Sequence, residues 1–112
     1  MADPLINPET TLRYRDSLLR TMYLSEDEAS RFHRIFLAPG VSHCPGGIGP
    51  YLADAMNTLA DWTESEIISE TLAVSIATTS DINVMHNLCA YPQHLSCNGS
   101  PDVNLASRFS CL

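Results

Sequence analysis

Basic residues are scarce in this sequence. Its 112 residues include six Lys and Arg against thirteen Asp and Glu, which gives a formal net charge of −7 at pH 7. Nucleic-acid binding requires a clustered positive surface, so we expect no nucleic-acid partner. The arginines of the first third are interleaved with acids and are expected to lie on solvated faces: Arg13, Arg15, Arg20, Arg31 and Arg34.

Long apolar runs are also missing. No stretch reaches the roughly 18 apolar residues that a membrane span requires, so we expect no membrane partner. Residues 1–20 lack the layout of a secretory signal peptide, because prolines stand where its apolar core should be. Four cysteines, three of them within the last 24 residues, nevertheless favour an oxidising compartment. One resolution of this disagreement is that Met1 is not the natural beginning of the protein.

The first part of the chain is expected to contain one helix and one strand. A turn-rich loop over residues 1–10 precedes a predicted helix at about 11–24, with Thr10 or Thr11 as its N-cap. Residues 32–38, FHRIFLA, are apolar and short, and a Pro-Gly pair follows them. This pattern predicts a buried strand.

The second part is expected to contain a longer helix and a loose tail. Apolar residues recur at helical spacing in a predicted helix at about 51–63, and we expect them to face a core: Leu52, Met56 and Leu59. Residues 72–77 are a candidate strand, and residues 83–112 are expected to be irregular and held by cysteines. Such elements bury little apolar surface, and two strands make a poor sheet. The chain is therefore expected to be the edge of a larger domain.

One loop concentrates the residues that carry chemistry. Residues 39–50, PGVSHCPGGIGP, hold three prolines and four of the chain's five glycines around a single His–Cys pair. A histidine that only filled space would fit more easily on a helix or strand, so His43 is a candidate general base. The glycines do not indicate phosphate binding, because the run lacks the Gly-Lys-Ser/Thr ending. A metal site of His43, Cys44, His86 and Cys89 is disfavoured, because these residues lack the spacing of structural zinc ligands.

Three blocks of sequence carry a resemblance to a known family. In α/β-hydrolases the catalytic triad runs Ser, then Asp or Glu, then His along the chain. Residues 34–50, RIFLAPGVSHCPGGIGP, resemble the His-containing block of the tannase and feruloyl esterase family. Residues 1–18, MADPLINPETTLRYRDSL, are similar to its acid block, in which Asp-Pro-Leu-Ile precedes a helix. The tail, with LCAYPQ and NGSPDVNLASRFSC, is similar to the family's C-terminus.

The resemblance implies roles for five residues. His43 matches the catalytic histidine, and Asp3 matches the acid that orients its imidazole. Cys44 matches a cysteine that the family pairs with one beside the nucleophilic serine, a partner that would lie outside this chain. Cys89 and Cys111 match a second disulfide, which staples the tail.

Other family features are missing from these residues. The sequence contains no G-x-S-x-G turn, so it offers no matching nucleophile. The family's calcium-binding lid region is missing too, so we expect no metal and no cofactor in this chain. Cys97 has no family counterpart, and its pairing stays open.

The implied fold class is α/β: the C-terminal fragment of an α/β-hydrolase fold, without its nucleophile and lid regions. The implied activity is the hydrolysis of phenolic-acid esters, free or polysaccharide-linked, by Ser-Asp-His acyl transfer in a secreted enzyme. We expect this chain to be inactive alone and to need the remainder of the hydrolase domain. The alternatives are a non-catalytic acidic interaction domain with cysteines, a truncated relic, or one part of a split enzyme.

Overall fold

The computed structural model describes Asp3 and residues 5–43, 47–77, 83–99 and 104–112. Two helices come first, α1 (Pro8–Met22) and the short α2 (Glu26–Ala29). A short strand and the third helix follow the loop of residues 39–50: β1 (Tyr51–Leu52) and α3 (Ala55–Ser65). The remaining elements are β2 (Thr71–Ala77), β3 (Asn83–Cys89), β4 (Leu95–Cys97), a 3-10 turn (Ala106–Arg108) and β5 (Phe109–Cys111).

Helix α1 begins earlier than the predicted helix at about 11–24. The side chain of Asn7 caps it by accepting a hydrogen bond of 2.9 Å from the backbone N–H of Glu9. Pro8 takes the first helical position, where a missing N–H costs nothing. The predicted N-cap at Thr10 or Thr11 is therefore wrong, because Asn-Pro acts as a helix start here and not as part of a loop.

The central sheet is antiparallel, with the strand order β1-β2-β3. Strands β2 and β3 pair along their whole length, from Thr71 opposite Cys89 to Ala77 opposite Asn83. The candidate strand at 72–77 agrees with β2. The expectation of an irregular tail over 83–112 is wrong, because β3 belongs to this sheet and β4 pairs with β5 in a second one.

Residues 32–38 do not form the predicted strand. Phe36 makes a single antiparallel bridge with Ala90, and the carbonyl of Ile35 accepts a hydrogen bond of 2.8 Å from the N–H of Tyr91. A strand needs backbone partners along its length, and within the described residues this segment has a strand-type pairing only at Ala90, directly after β3. It is therefore an extended connection, although Ile35 itself is buried.

The predicted helix at about 51–63 also begins at the wrong residue. Tyr51 and Leu52 instead pair with Ser75 and Val74 of β2, and α3 begins only at Ala55. The three residues expected to face a core are largely exposed, with Leu52 at 55%, Met56 at 77% and Leu59 at 49%. Helix α3 instead meets the core of the described residues through Ala55.

The core of the described residues is small. It is centred on Leu72, Val74 and Leu88, with Phe36, Ala38 and Ala55 packed against it. The radius of gyration is 15.3 Å, whereas a compact domain of this length would have about 13 Å. Among the described residues, none of the helices has the length and apolar character that crossing a bilayer requires.

Candidate active site

Asp3 lies in a turn that leads into α1. One carboxylate oxygen, Oδ1, accepts hydrogen bonds from the backbone N–H groups of Leu5, at 2.8 Å, and Ile6, at 2.9 Å. These N–H groups, with that of Ile6 contributing most, lower the pKa of Asp3 from its ordinary value. Partial burial opposes this shift, and contact with His43 adds a smaller lowering of the pKa. The turn therefore fixes a charged carboxylate and leaves Oδ2 for another partner.

The loop that carries His43 owes its shape to its glycines. Its two arms are joined by a bridge between Val41 and Gly47 and by a 2.9 Å hydrogen bond from the N–H of Gly49 to the carbonyl of Gly40. Gly40 and Gly47 have φ of +79° and +88°, in the left-handed region that favours glycine. A Cβ on Gly47 would lie 2.3 Å from the carbonyl oxygen of Gly40. Side chains at these positions would separate the arms and displace His43.

Both ends of this loop are attached to the central sheet. The leading segment contacts the end of β3 through the bridge from Phe36 to Ala90. The trailing end continues into β1, and the N–H of Ala53 donates to the carbonyl of Ala73 at 3.1 Å. The position of His43 is therefore set by β2 and β3.

The two predicted triad residues meet in space. Nδ1 of His43 lies 3.2 Å from Oδ2 of Asp3, although 40 residues separate them in sequence. A proton on Nδ1 that is donated to the carboxylate leaves Nε2, on the opposite side of the ring, as a proton acceptor. The side chains are 22% exposed in Asp3 and 35% exposed in His43, so a further polypeptide or a substrate can reach the pair.

A disulfide lies close to the attachment of the loop. Cys89, the last residue of β3, is bonded to Cys111 in β5, as the resemblance implied. Ala90, the next residue, forms the bridge with Phe36. The disulfide thus ties the tail to the place where the leading segment of the His43 loop docks.

The sequence and the fold of this chain have counterparts in known proteins. The sequence model of the family described as "Tannase and feruloyl esterase" matches residues 1–112. The chain belongs to this tannase and feruloyl esterase family. The family comprises carboxylic ester hydrolases, and the predicted fold class, part of an α/β-hydrolase domain, is confirmed.

Two relatives illustrate the similarity within the tannase and feruloyl esterase family. A probable feruloyl esterase of Arthroderma benhamiae is 33% identical over 115 residues, which cover 99% of this chain and 21% of the relative. The mono(2-hydroxyethyl) terephthalate hydrolase of Piscinibacter sakaiensis is 34% identical over 86 residues, covering 74% of this chain and 14% of that enzyme. The chain therefore spans about a fifth or less of the length of these relatives.

Solved structures show the same fold. Feruloyl esterase B from Aspergillus oryzae superposes with a TM-score of 0.85 at 20% identity, covering 98% of this chain and 25% of that structure. Tannin acyl hydrolase from Aspergillus niger gives a TM-score of 0.76 at 23% identity, covering 98% and 21%. The chain therefore corresponds to about a quarter of the feruloyl esterase B structure and to about a fifth of the tannin acyl hydrolase structure.

Two expectations about the site concern cysteine. Cys44, which the family resemblance pairs with a cysteine outside this chain, lies outside the described residues, so that pairing stays a prediction. The disfavoured metal site would need the thiolate of Cys89, whose sulfur is instead bonded to Cys111. Nowhere in the described part of the chain do three His, Cys, Asp or Glu side chains gather as a metal site would require.

Sequence reasoning missed two buried or half-buried arginines. Arg15, expected on a solvated face, is 2% exposed. Arg34 is half-buried and donates to the carbonyls of Ser30 at 3.0 Å and Ser69 at 2.7 Å. A signal for Arg15 was present, because it shares a helix face with apolar residues, Leu12 and Leu19 among them.

Proposed function

We propose that this chain supplies the acid and the base of a serine carboxylic ester hydrolase. The observation that carries the proposal is the 3.2 Å contact between Oδ2 of Asp3 and Nδ1 of His43, in a chain of the tannase and feruloyl esterase family. We define Asp3 and His43 as the acid–base pair; their contact supports the roles that the family resemblance implies for them.

In the proposed reaction, Nε2 of His43 takes the proton from a serine hydroxyl as the serine oxygen attacks the ester carbonyl. Backbone N–H groups hold the resulting oxyanion. The tetrahedral intermediate then collapses to an acyl-enzyme, and His43 returns the proton to the departing alcohol. A water molecule then attacks the acyl-enzyme in the same way and releases the free acid. Throughout, Asp3 holds the imidazole ring of His43 and stabilises its charged form.

The nucleophile must come from polypeptide outside these 112 residues. The relatives are about four to seven times longer than the part that this chain matches. The exposed apolar side chains of Leu52, Met56 and Leu59 offer a surface for the rest of such a domain. We therefore propose that the chain is inactive alone and acts as part of a secreted, complete hydrolase domain, with no metal or cofactor bound to these residues.

The substrate class follows from what the relatives share. Their names refer to feruloyl esters, tannin acyl groups and a terephthalate ester. All three are esters of aromatic carboxylic acids with different alcohols. We propose that the substrate is an ester of an aromatic carboxylic acid, either a small molecule or linked to a polysaccharide. The alcohol part of the ester is expected to vary.

A chimera tests this proposal directly. The matching quarter of Aspergillus oryzae feruloyl esterase B is replaced by residues 1–112, since the two superpose with a TM-score of 0.85. We expect the chimera to hydrolyse a feruloyl ester, and His43→Ala and Asp3→Asn to lower kcat by about 10⁴-fold. His94→Ala, an exposed histidine in the same chain, serves as the matched control and should leave kcat unchanged.

Two outcomes would overturn the proposal. The first is a folded, active chimera whose kcat does not depend on His43. The second is turnover of a phenolic ester by the isolated 112-residue chain that disappears in its His43→Ala variant, because that result would require a nucleophile within these residues.

A further inference from the structure

Helix α1 is attached to the rest of the described structure in an unusual way. It follows the turn that holds Asp3, and its one buried residue is Arg15. Helix α3 packs on β2, whereas α1 makes no comparably extensive contact with any helix or strand among the described residues. The most deeply buried residue of α1 is therefore a cation, with the half-buried side chains of Leu12, Leu18 and Leu19 around it.

Arg15 joins three parts of the chain. One terminal nitrogen, Nη1, donates to the carbonyl of His33 at 3.1 Å and lies 3.4 Å from Nδ1 of the same residue. The other, Nη2, donates to the carboxylate of Glu26 in α2. The ring of Tyr14, the preceding residue, meets the His33 ring edge-on with centroids 6.3 Å apart. A planar guanidinium can donate hydrogen bonds to these separate partners at the same time, which the single ammonium group of a lysine cannot.

His33 begins the segment that leads to the base. Two residues later, the carbonyl of Ile35 accepts the hydrogen bond from Tyr91, and Phe36 then bridges to Ala90. From there the chain enters the loop that carries His43. Arg15 thus fixes the helix that follows Asp3 onto the start of the segment that carries His43.

We propose that Arg15 is a positioning residue that sets the separation between Asp3 and His43. The importance of Arg15 for catalysis rests on the proposed function, whereas its effect on the separation between Asp3 and His43 rests only on the contacts described above. Burying a guanidinium is costly, and Nε is buried without a partner among the described residues. Glu26, its counter-ion, is 51% exposed, so the pair is poorly explained by stability alone. The buried pair is better explained by a role in holding α1 and the segment that begins at His33 in one arrangement.

The imidazole tautomer of His43 provides a readout that a purely structural role would not move. We would measure the ratio of the Nδ1–H to the Nε2–H form by long-range ¹H–¹⁵N NMR on the 112-residue chain in alkaline solution. Hydrogen bonding to Asp3 favours the Nδ1–H form. Asp3→Asn gives the reference ratio without that carboxylate, and the amide signals of β2 and β3 report on the fold.

We expect Arg15→Gln to lower the Nδ1–H to Nε2–H ratio about fivefold, the factor for losing one ordinary hydrogen bond, and to bring it close to that of Asp3→Asn. Arg13→Gln is the matched control, because Arg13 is 82% exposed on the same helix and should leave the ratio unchanged. Glu26→Gln keeps the guanidinium but removes its counter-ion and should give an intermediate ratio. Arg15→Lys should restore only part of the wild-type ratio.

Three results would overturn the inference: an unchanged ratio in Arg15→Gln, a wild-type ratio equal to that of Asp3→Asn, or loss of the β2 and β3 signals in Arg15→Gln. The last would make Arg15 a general determinant of folding. None of these results decides the esterase proposal, which depends on whether the activity of the chimera requires His43.

Discussion

The disulfide between Cys89 and Cys111 should account for a large part of the stability of this chain. The perturbation is the double substitution Cys89→Ala and Cys111→Ala, which removes the cross-link without placing a hydroxyl at the buried position of Cys89. The bond closes a loop with a sequence separation of 22. In the chain-entropy description a loop of this length removes about 11 cal/mol/K from the unfolded ensemble, or about 3 kcal/mol at 25 °C.

Urea unfolding followed by circular dichroism measures this effect. With a urea dependence of about 1.5 kcal/mol/M, a loss of about 3 kcal/mol lowers the midpoint by about 2 M. Ser110→Ala is the control, because Ser110 is exposed beside Cys111 and its substitution leaves the cross-link intact. That variant should stay within about 0.5 kcal/mol of the wild type.

A loss below about 1 kcal/mol in the double variant would refute this reasoning. It would mean that pairing between β4 and β5, which includes Leu95 opposite Cys111, already restrains the tail without the covalent bond.

Three further predictions concern the acid turn and the His43 loop. Gly49→Ala would place a Cβ 2.5 Å from backbone atoms of residues 39–41, so it should lower the thermal unfolding midpoint through about 1–3 kcal/mol of overpacking; an unchanged midpoint would contradict the tight loop. Asn7→Ala removes the cap of α1 and should cost about 1 kcal/mol in urea unfolding, with loss of helical signal before the main transition. Because the pKa of Asp3 is lowered on folding, its contribution to stability should be present above the unfolded pKa of about 3.8 and be lost as pH falls through the folded value. The difference in unfolding free energy between wild type and Asp3→Asn should therefore shrink as pH falls below about 4; a difference that keeps growing below pH 4 would contradict the assignment.

The contact between Asp3 and His43 was predictable because both residues lie in motifs. The Asp-Pro turn and the Gly/Pro-rich loop are local signals, and the family resemblance supplied the pairing between them. The pairing of Cys89 with Cys111 was implied by the same resemblance. Spacing alone would have left three connectivities for four cysteines.

The segment at 32–38 shows where sequence reasoning fails. Its apolar composition indicates burial, but composition cannot say which strands lie beside it. Within the described residues the backbone of this segment pairs only at Ala90, directly after β3, through one bridge from Phe36. The exposure of Met56 has a similar cause, because a helical pattern indicates an apolar face without identifying what covers it.

Strand β3 was missed although its signal was present. Buried Val84 and Leu88 alternate with exposed Met85 and Asn87, the two-residue period of a half-buried strand. The number of cysteines in the tail favoured an irregular interpretation. The burial of Arg15 was harder to predict, because its partners lie 11 and 18 residues away in segments whose paths no local pattern defines.

The loop of residues 39–50 contains two kinds of position, glycines that set its path and an exposed side chain between them. Gly40, Gly47 and Gly49 set the path of the backbone and tolerate no side chain without rearrangement. Ile48, enclosed between two of them, is 97% exposed. Substitution there changes the exposed surface of the loop that carries His43, while the glycines on either side still set the path of its backbone. A library randomised at Ile48 therefore varies the outer surface of this loop without touching the glycines on which its shape depends.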